Sequence, residues 1–153
     1  MPVKFDIFED RGLTCIRLVG DVDLSDILEH LIAYKADPCF RPDLDEFIDL
    51  SDWTNTDMGY KEMRQFRYAQ RLQQSKSQTK TRCSIYAPSD FQYGMARIYV
   101  SLADASGEVS SQVFEKRDHA LAFLDICASD MPSVSTIKKT PQNASLALRK
   151  AVL

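Results

Sequence analysis

Three groupings in this sequence have residue types and spacings that suggest a site. The first is the segment Ser51 to Gly59, SDWTNTDMG, which follows a short run, DEFIDL, over residues 45 to 50. Asp52, Trp53, Thr56 and Asp57 supply polar groups and one large aromatic, and Gly59 leads into the next helix. If 45–50 is a central strand of a parallel sheet, this loop lies at its carboxyl end. Open α/β sheets place ligands there, because helix N-termini present free N–H groups.

The second grouping is basic. Lys61, Arg64, Tyr68 and Arg71 share one face of a predicted helix, and residues 61 to 82 hold seven bases against one acid. Lys61, Arg64 and Arg71 form a candidate anion-binding stripe, suited to nucleic-acid phosphates or anionic lipid. A pI near 5.4 weighs against nucleic acid as the main partner and in favour of a solvated helix face. The third grouping is aromatic. Trp53, Tyr86, Phe91 and Tyr93 could line a crevice between the ends of the third and fourth strands and take a small apolar ligand. The competing reading makes most of them ordinary core.

Catalytic chemistry has no comparable signal. The sequence contains no G-x-S-x-G, P-loop, G-x-G-x-x-G or H-E-x-x-H motif. His30 and His119 fall on predicted helices away from any nucleophile, and no pair of carboxylates stands out as acid and base. His30 has no second ligand-type residue at metal spacing. Cys15, Cys39, Cys83 and Cys127 are far apart with no C-x-x-C pair, which reads as buried free thiols. The expectation is a protein that is not an enzyme, with no cofactor and no metal.

The elements that must position these groups can be read in order. Val3, Phe5 and Ile7 alternate with Lys4 and Asp6 as a half-buried strand. A turn at Asp10-Arg11-Gly12 leads to a second strand, Leu13 to Val19, so the chain opens with a hairpin. Asp23 can cap a helix whose Leu24, Ile27, Leu28, Leu31 and Ile32 make an apolar face. Pro38 and Pro42 bracket the loop before the strand 45–50. A long helix from about Met58 to Gln74 turns Met63, Phe66 and either Ala69 or Gln70 inward, and a polar loop from Ser75 to Thr81 follows.

Arg82 to Ala87 is a strand stopped by Pro88. Ser89 caps a helix with Phe91, Met95, Ile98 and Leu102 on one stripe. Gly94 within that helix costs about 1 kcal/mol relative to alanine and predicts a close backbone approach there. Ser106-Gly107 ends the helix. Val109 to Glu115 is a strand, and a helix from Asp118 carries Leu121, Leu124 and Ala128 on one side, with Ala120, Phe123 and Cys127 beside them.

The order β-β-α-β-α-β-α-β-α predicts an α/β fold. Its sheet is mixed and mostly parallel, of about five strands, with an N-terminal hairpin and four helices. Residues 1–128 form this domain, and 129–153 form a polar linker broken by Pro132 and Pro141 plus a short helix capped by Asn143. That helix carries Leu146, Arg149, Lys150 and Leu153. It is too short to be stable alone and must pack on this domain, a second copy or another partner.

A family resemblance rests on particular residues: Ala87-Pro88-Ser89-Asp90, Tyr93-Gly94-Met95-Ala96-Arg97, and Val113-Phe114 leading to Ala120-Leu121-Ala122-Phe123-Leu124. These resemble the small bacterial STAS-like proteins, also called SpoIIAA-like, over roughly residues 3 to 127. The resemblance implies a non-enzymatic regulatory domain that binds protein partners or itself, a homodimer among the options. The loop 51–59 and the first turn from Ser89 to Tyr93 would form the contact surface. In the STAS family a phosphorylatable serine or threonine sits in the corresponding loop and switches partner binding. Asp57 and Gly59 match that neighbourhood, but Met58 stands at the hydroxyl position and leaves Thr56 as the substitute. The alternative reading is a carrier of a lipid or other small molecule in the crevice near Trp53 and Phe91.

Whole-chain numbers set the remaining bounds. At 153 residues, 44% hydrophobic and 27% charged, the chain is long enough for one domain with a proper core. No apolar run approaches the roughly 20 residues that cross a bilayer, and the N-terminus is too acidic for a signal peptide, so a cytoplasmic location is expected. Charge is polarised along the chain, −9 over residues 1 to 57 and +6 over the remainder. That pattern suits self-association or a charged partner unless folding intermixes the halves.

Overall fold

A computed structural model describes residues 2–73, 80–102 and 109–131. Within them the chain builds one five-stranded sheet whose spatial order is its sequence order. β1 (Val3–Phe8) and β2 (Leu13–Asp21) form the opening hairpin, with Val3 opposite Leu18 and Phe8 opposite Leu13. The hairpin turns through Gly12 at φ +59°, a left-handed conformation that strains any L side chain. β3 (Asp45–Asn55), β4 (Thr81–Tyr86) and β5 (Val109–Phe114) then add in parallel to β2. The expected mixed, mostly parallel sheet with an N-terminal hairpin is what forms.

The four helices are α1 (Leu24–Ala36), α2 (Tyr60–Gln73), α3 (Asp90–Ser101) and α4 (Arg117–Phe123). α1 and α3 start on complete capping boxes, Asp23 with Asp26 and Ser89 with Gln92, each satisfying two otherwise unpaired N–H groups. Strand alternation divides the core. Ile16, Leu18, Leu50 and Ile85 pack beneath Ile27 and Leu31 of α1, Met63 and Phe66 of α2 and Ala96 of α3. Leu13, Cys15 and Phe47 face the other way, against Ala120, Leu121 and Leu124 at α4. Ser84 Oγ donates to the Ala120 carbonyl at 2.6 Å, and Arg82 donates to Asp45, Asp125 and the Phe123 carbonyl, so α4 is pinned to β3 and β4.

Four expectations are corrected. β3 does not stop at Leu50 but runs five residues further, turning most of the expected loop 51–59 into strand. β2 supplies the partner: it too is longer than expected, with Gly20 opposite Trp53 and Asp21 opposite Asn55 after two register shifts. This polar extension pairs with β2 alone, and side chains complete its backbone hydrogen bonds: Ser51 N–H donates to Asp49 Oδ1, and Gln92 Nε2 donates to the Ser51 and Trp53 carbonyls.

α4 ends at Phe123 rather than continuing to Ala128. Asp125 takes the left-handed conformation at φ +59°, with Asp125 N–H donating to Ala122 O and Ile126 N–H to Leu121 O, a Schellman stop made without glycine. Cys127 and Ala128 are exposed as a result. Gly94 presses on nothing: a Cβ there would meet no atom within 4 Å, and the position is exposed. The expected loop 75–81 up to residue 79, the turn at 106–107 and the C-terminal helix lie outside the described residues.

Candidate functional site

β3 carries a carboxylate where its alternation calls for a core residue. Glu46, Ile48 and Leu50 share the face beneath α1, α2 and α3, and register places Glu46 between Thr14 of β2 and Cys83 of β4. The helices above answer with polar groups on their own inward stripes. In α1, His30 and Tyr34 continue the row Ile27 and Leu31; in α2, Arg67 and Gln70 continue Met63 and Phe66; in α3, Tyr99 follows Met95 and Ala96. Each polar group lies towards the C-terminal part of its helix, above the amino ends of the parallel strands.

These groups surround a void rather than a filled core. A cavity of about 150 Å³ runs from this polar end, lined by His30, Tyr34, Lys35, Glu46, Gln70 and Tyr99, along an apolar wall to Trp53 and Met58. Glu46, His30 and Tyr99 are enclosed by protein yet keep solvent-reachable surface, because they face that space.

The polar end is only partly satisfied. Tyr34 and Thr14 share a hydrogen bond of 2.9 Å between their hydroxyls. Arg67 Nη1 donates to Gln70 Oε1 at 2.9 Å, Gln70 Nε2 donates to the Tyr99 hydroxyl at 3.2 Å, and the guanidinium lies 4.0 Å over the Tyr99 ring. The Lys35 ammonium sits 4.4 Å over the Phe40 ring, and the His30 ring stacks on Tyr34. Among the described residues, His30 Nδ1 and Arg67 Nε have no hydrogen-bond partner, and no cation comes within 4.0 Å of the Glu46 carboxylate. A buried polar atom left unpaired costs about 1–3 kcal/mol, so the enclosed His30 and Arg67 atoms weigh on the fold, while the Glu46 carboxylate is the group without an ion-pair partner that lines the cavity.

Ionisation follows from enclosure. Burial pushes the Glu46 carboxyl above the usual carboxylate range, while Lys35 and Arg67 pull it part of the way back. Burial lowers the Lys35 ammonium, with Glu46 opposing, and takes His30 down from 6.5 to about 4, so its ring is neutral at pH 7. Tyr34 and Tyr99 are pushed up by burial and remain hydroxyl donors. The arrangement can hold a small molecule by one polar end inside an apolar sleeve. Among the described residues, no cluster of three or more His, Cys, Asp or Glu side chains could hold a metal. Burial pushes the Cys15 thiol up to about 12 and raises Cys83 as well, so both are inert.

The residues singled out from sequence lie mostly elsewhere. Trp53 is buried at the far end of the cavity, its Nε1 donating to the Asn55 carbonyl at 3.0 Å, and Phe91 packs on it with ring centroids 5.0 Å apart. Tyr93 packs against the same core, but Tyr86 points to the opposite face of the sheet, so the four aromatics do not form one crevice.

Asp52 is paired with Arg17 on β2, Thr56 Oγ1 accepts from Met58 N, and Asp57 is exposed. Gly59 N donates to Glu62 at the start of α2, and Ser89 caps α3. Met58, at the family's hydroxyl position, is buried in the core. Lys61, Arg64 and Arg71 lie on the exposed side of α2, beside Tyr60, Tyr68 and Leu72, and Arg71 donates to the Leu102 carbonyl at 3.3 Å.

Sequence alone does not group Glu46, Lys35, Arg67, Gln70 and Tyr99, and of these only Gln70 is an inward candidate from helical spacing. Two signals pointed to them: the parity of Glu46 with Ile48 and Leu50, and helical spacing from Met63 and Phe66 to Arg67 and Gln70.

No protein-family model and no curated protein matches this chain. Among solved structures it is similar to an uncharacterized protein of the DUF3478 family with a SpoIIAA-like fold, from Shewanella loihica PV-4. The identity is 14%, over 80% of this chain and 91% of that one, with a TM-score of 0.48.

Proposed function

We propose that this chain is a non-enzymatic binding domain that carries or senses a small molecule in the cavity beneath α1, α2 and α3. The observation that supports it is the void itself, with Glu46, Lys35, Gln70 and Tyr99 at one end and an apolar wall over the rest. Native cores are close-packed, and empty space bordered by a carboxylate without an ion-pair partner is costly unless occupied. At about 150 Å³ the space suits a compact molecule rather than a lipid chain.

Native mass spectrometry of protein purified from its own host tests the reading. A bound small mass released on denaturation supports it. Bare protein that also takes up no small molecule in titration contradicts it.

A second reading has its own observation. Tyr60, Tyr68 and Leu72 are more than half exposed along α2, interleaved with Lys61, Arg64 and Arg71. This aromatic and basic face favours a protein-interaction role, at a surface other than the loop 51–59. Charge reversal at Lys61 and Arg64 that leaves every partner bound would remove it.

A further inference from the structure

The cavity has a chemical preference that can be read from its wall. Its volume is that of a space known to accept a single benzene ring, or about five waters at about 30 Å³ each. Most of its length is apolar, with Ile48, Leu50, Met63, Phe66 and Met95 on the wall, which selects a compact hydrocarbon body. Its polar end carries one carboxylate, Glu46, and one ammonium, Lys35, with the Arg67 guanidinium close behind.

A ligand carboxylate would meet Glu46, and a ligand amine would meet Lys35 and Arg67. Either would bring an additional charge out of water, at a cost of several kcal/mol. A neutral hydroxyl avoids both penalties. It can donate to the Glu46 carboxylate, or accept from it should the group be protonated. His30 lies on the same wall with its ring uncharged at pH 7, so it adds no charge for a ligand to pair with. Gln70 and the Tyr99 hydroxyl already engage each other and add no unmet demand for charge.

We propose that the cavity selects a neutral, single-ring or similarly compact molecule bearing a hydroxyl group, with the hydroxyl hydrogen-bonded to Glu46 and the hydrocarbon body between Ile48, Met63 and Met95. This rests on the small-molecule reading above and names its ligand class.

The test uses four UV-transparent probes that share one ring: cyclohexanol, cyclohexane, cyclohexylamine and cyclohexanecarboxylate. Each is titrated at pH 7 into the full chain. Calorimetry is combined with fluorescence from Trp53, the chain's single tryptophan and part of the cavity wall. Cyclohexanol is expected to bind about tenfold tighter than either charged analogue. Glu46→Leu is expected to remove about tenfold of its affinity, in line with a hydrogen bond to a charged group, while leaving cyclohexane within about twofold. Glu46→Gln, which keeps the shape and a hydrogen-bonding group, should recover part of the loss.

Equal cyclohexanol binding by wild type and Glu46→Leu, or tighter binding of the amine or the carboxylate, overturns the ligand class while the binding reading stands. Failure of all four probes, cyclohexane included, to alter Trp53 or release heat overturns the binding reading as well.

Discussion

The guanidinium of Arg67 lies 4.0 Å above the ring of Tyr99 and so joins α2 to α3 at the polar end of the cavity. The contact holds the one cation of α2 that turns inward, and through Gln70 it fixes the Tyr99 hydroxyl. It also keeps a positive charge near Glu46, whose proton affinity it lowers.

Arg67→Ala removes the ring contact and the Gln70 hydrogen bond and leaves Glu46 with less compensation. The expected loss is about 2–3 kcal/mol of unfolding free energy, measured by urea denaturation. Arg64→Ala, on the solvated side of the same helix, should stay within about 0.5 kcal/mol.

Acid stability should carry the mark of His30. Its folded pKa is lowered by burial to about 4 against an ordinary 6.5. As pH falls through that window the unfolded chain takes up a proton that the folded chain refuses. The imidazole's contribution is therefore complete above 6.5 and is lost towards pH 4, about 3 kcal/mol over the window at 1.36 kcal/mol per unit. Glu46 works in the opposite sense: its raised pKa adds stability at low pH that fades as pH rises. His30→Phe, which keeps the stack on Tyr34, should flatten the loss between 6.5 and 4 in denaturation curves taken across pH. An unchanged acid limb would show that His30 is not held neutral.

Gln92 governs the other end of the cavity. Its Nε2 donates to the carbonyls of Trp53 at 2.9 Å and Ser51 at 3.2 Å, while its Oε1 accepts from Ser89 N at 3.1 Å. One buried side chain thus caps α3 and clamps the extended end of β3. Gln92→Ala should cost about 2–3 kcal/mol and shift Trp53 emission to longer wavelength. Gln92→Glu leaves the Ser51 and Trp53 carbonyls without their donor and should cost at least as much.

Much of this fold was legible because each element declares itself locally. The 3-5-7 alternation, the Asp23 and Ser89 caps and the stripe of α3 need no distant partner to be read. The features that are not local depend on contacts across the chain. Residues 51 to 55 read as loop, and only the extended β2 makes them strand. The end of α4 rests on Asp125 in a conformation usually given to glycine.

The candidate site was less legible, for a specific reason. Arg67 is one of seven bases in a run that looked like a solvated face, and only its spacing from Met63 and Phe66 separates it from Arg64 and Arg71. Glu46 had the parity of a core residue but the chemistry of a surface one. The polar cluster also lies at the amino ends of the parallel strands, opposite the carboxyl ends where open α/β sheets usually place ligands.

The most direct test of the central claim uses the methionines as reporters. Met58, Met63 and Met95 line the cavity, whereas Met131 packs with the cluster around α4 on the opposite face. With 13C at the methionine methyls, cyclohexane titrated into the protein should shift Met58, Met63 and Met95 in a saturable way and leave Met131 unmoved. Three static cavity methyls, or a shift confined to Met131, would contradict a ligand-accepting cavity beneath the helices.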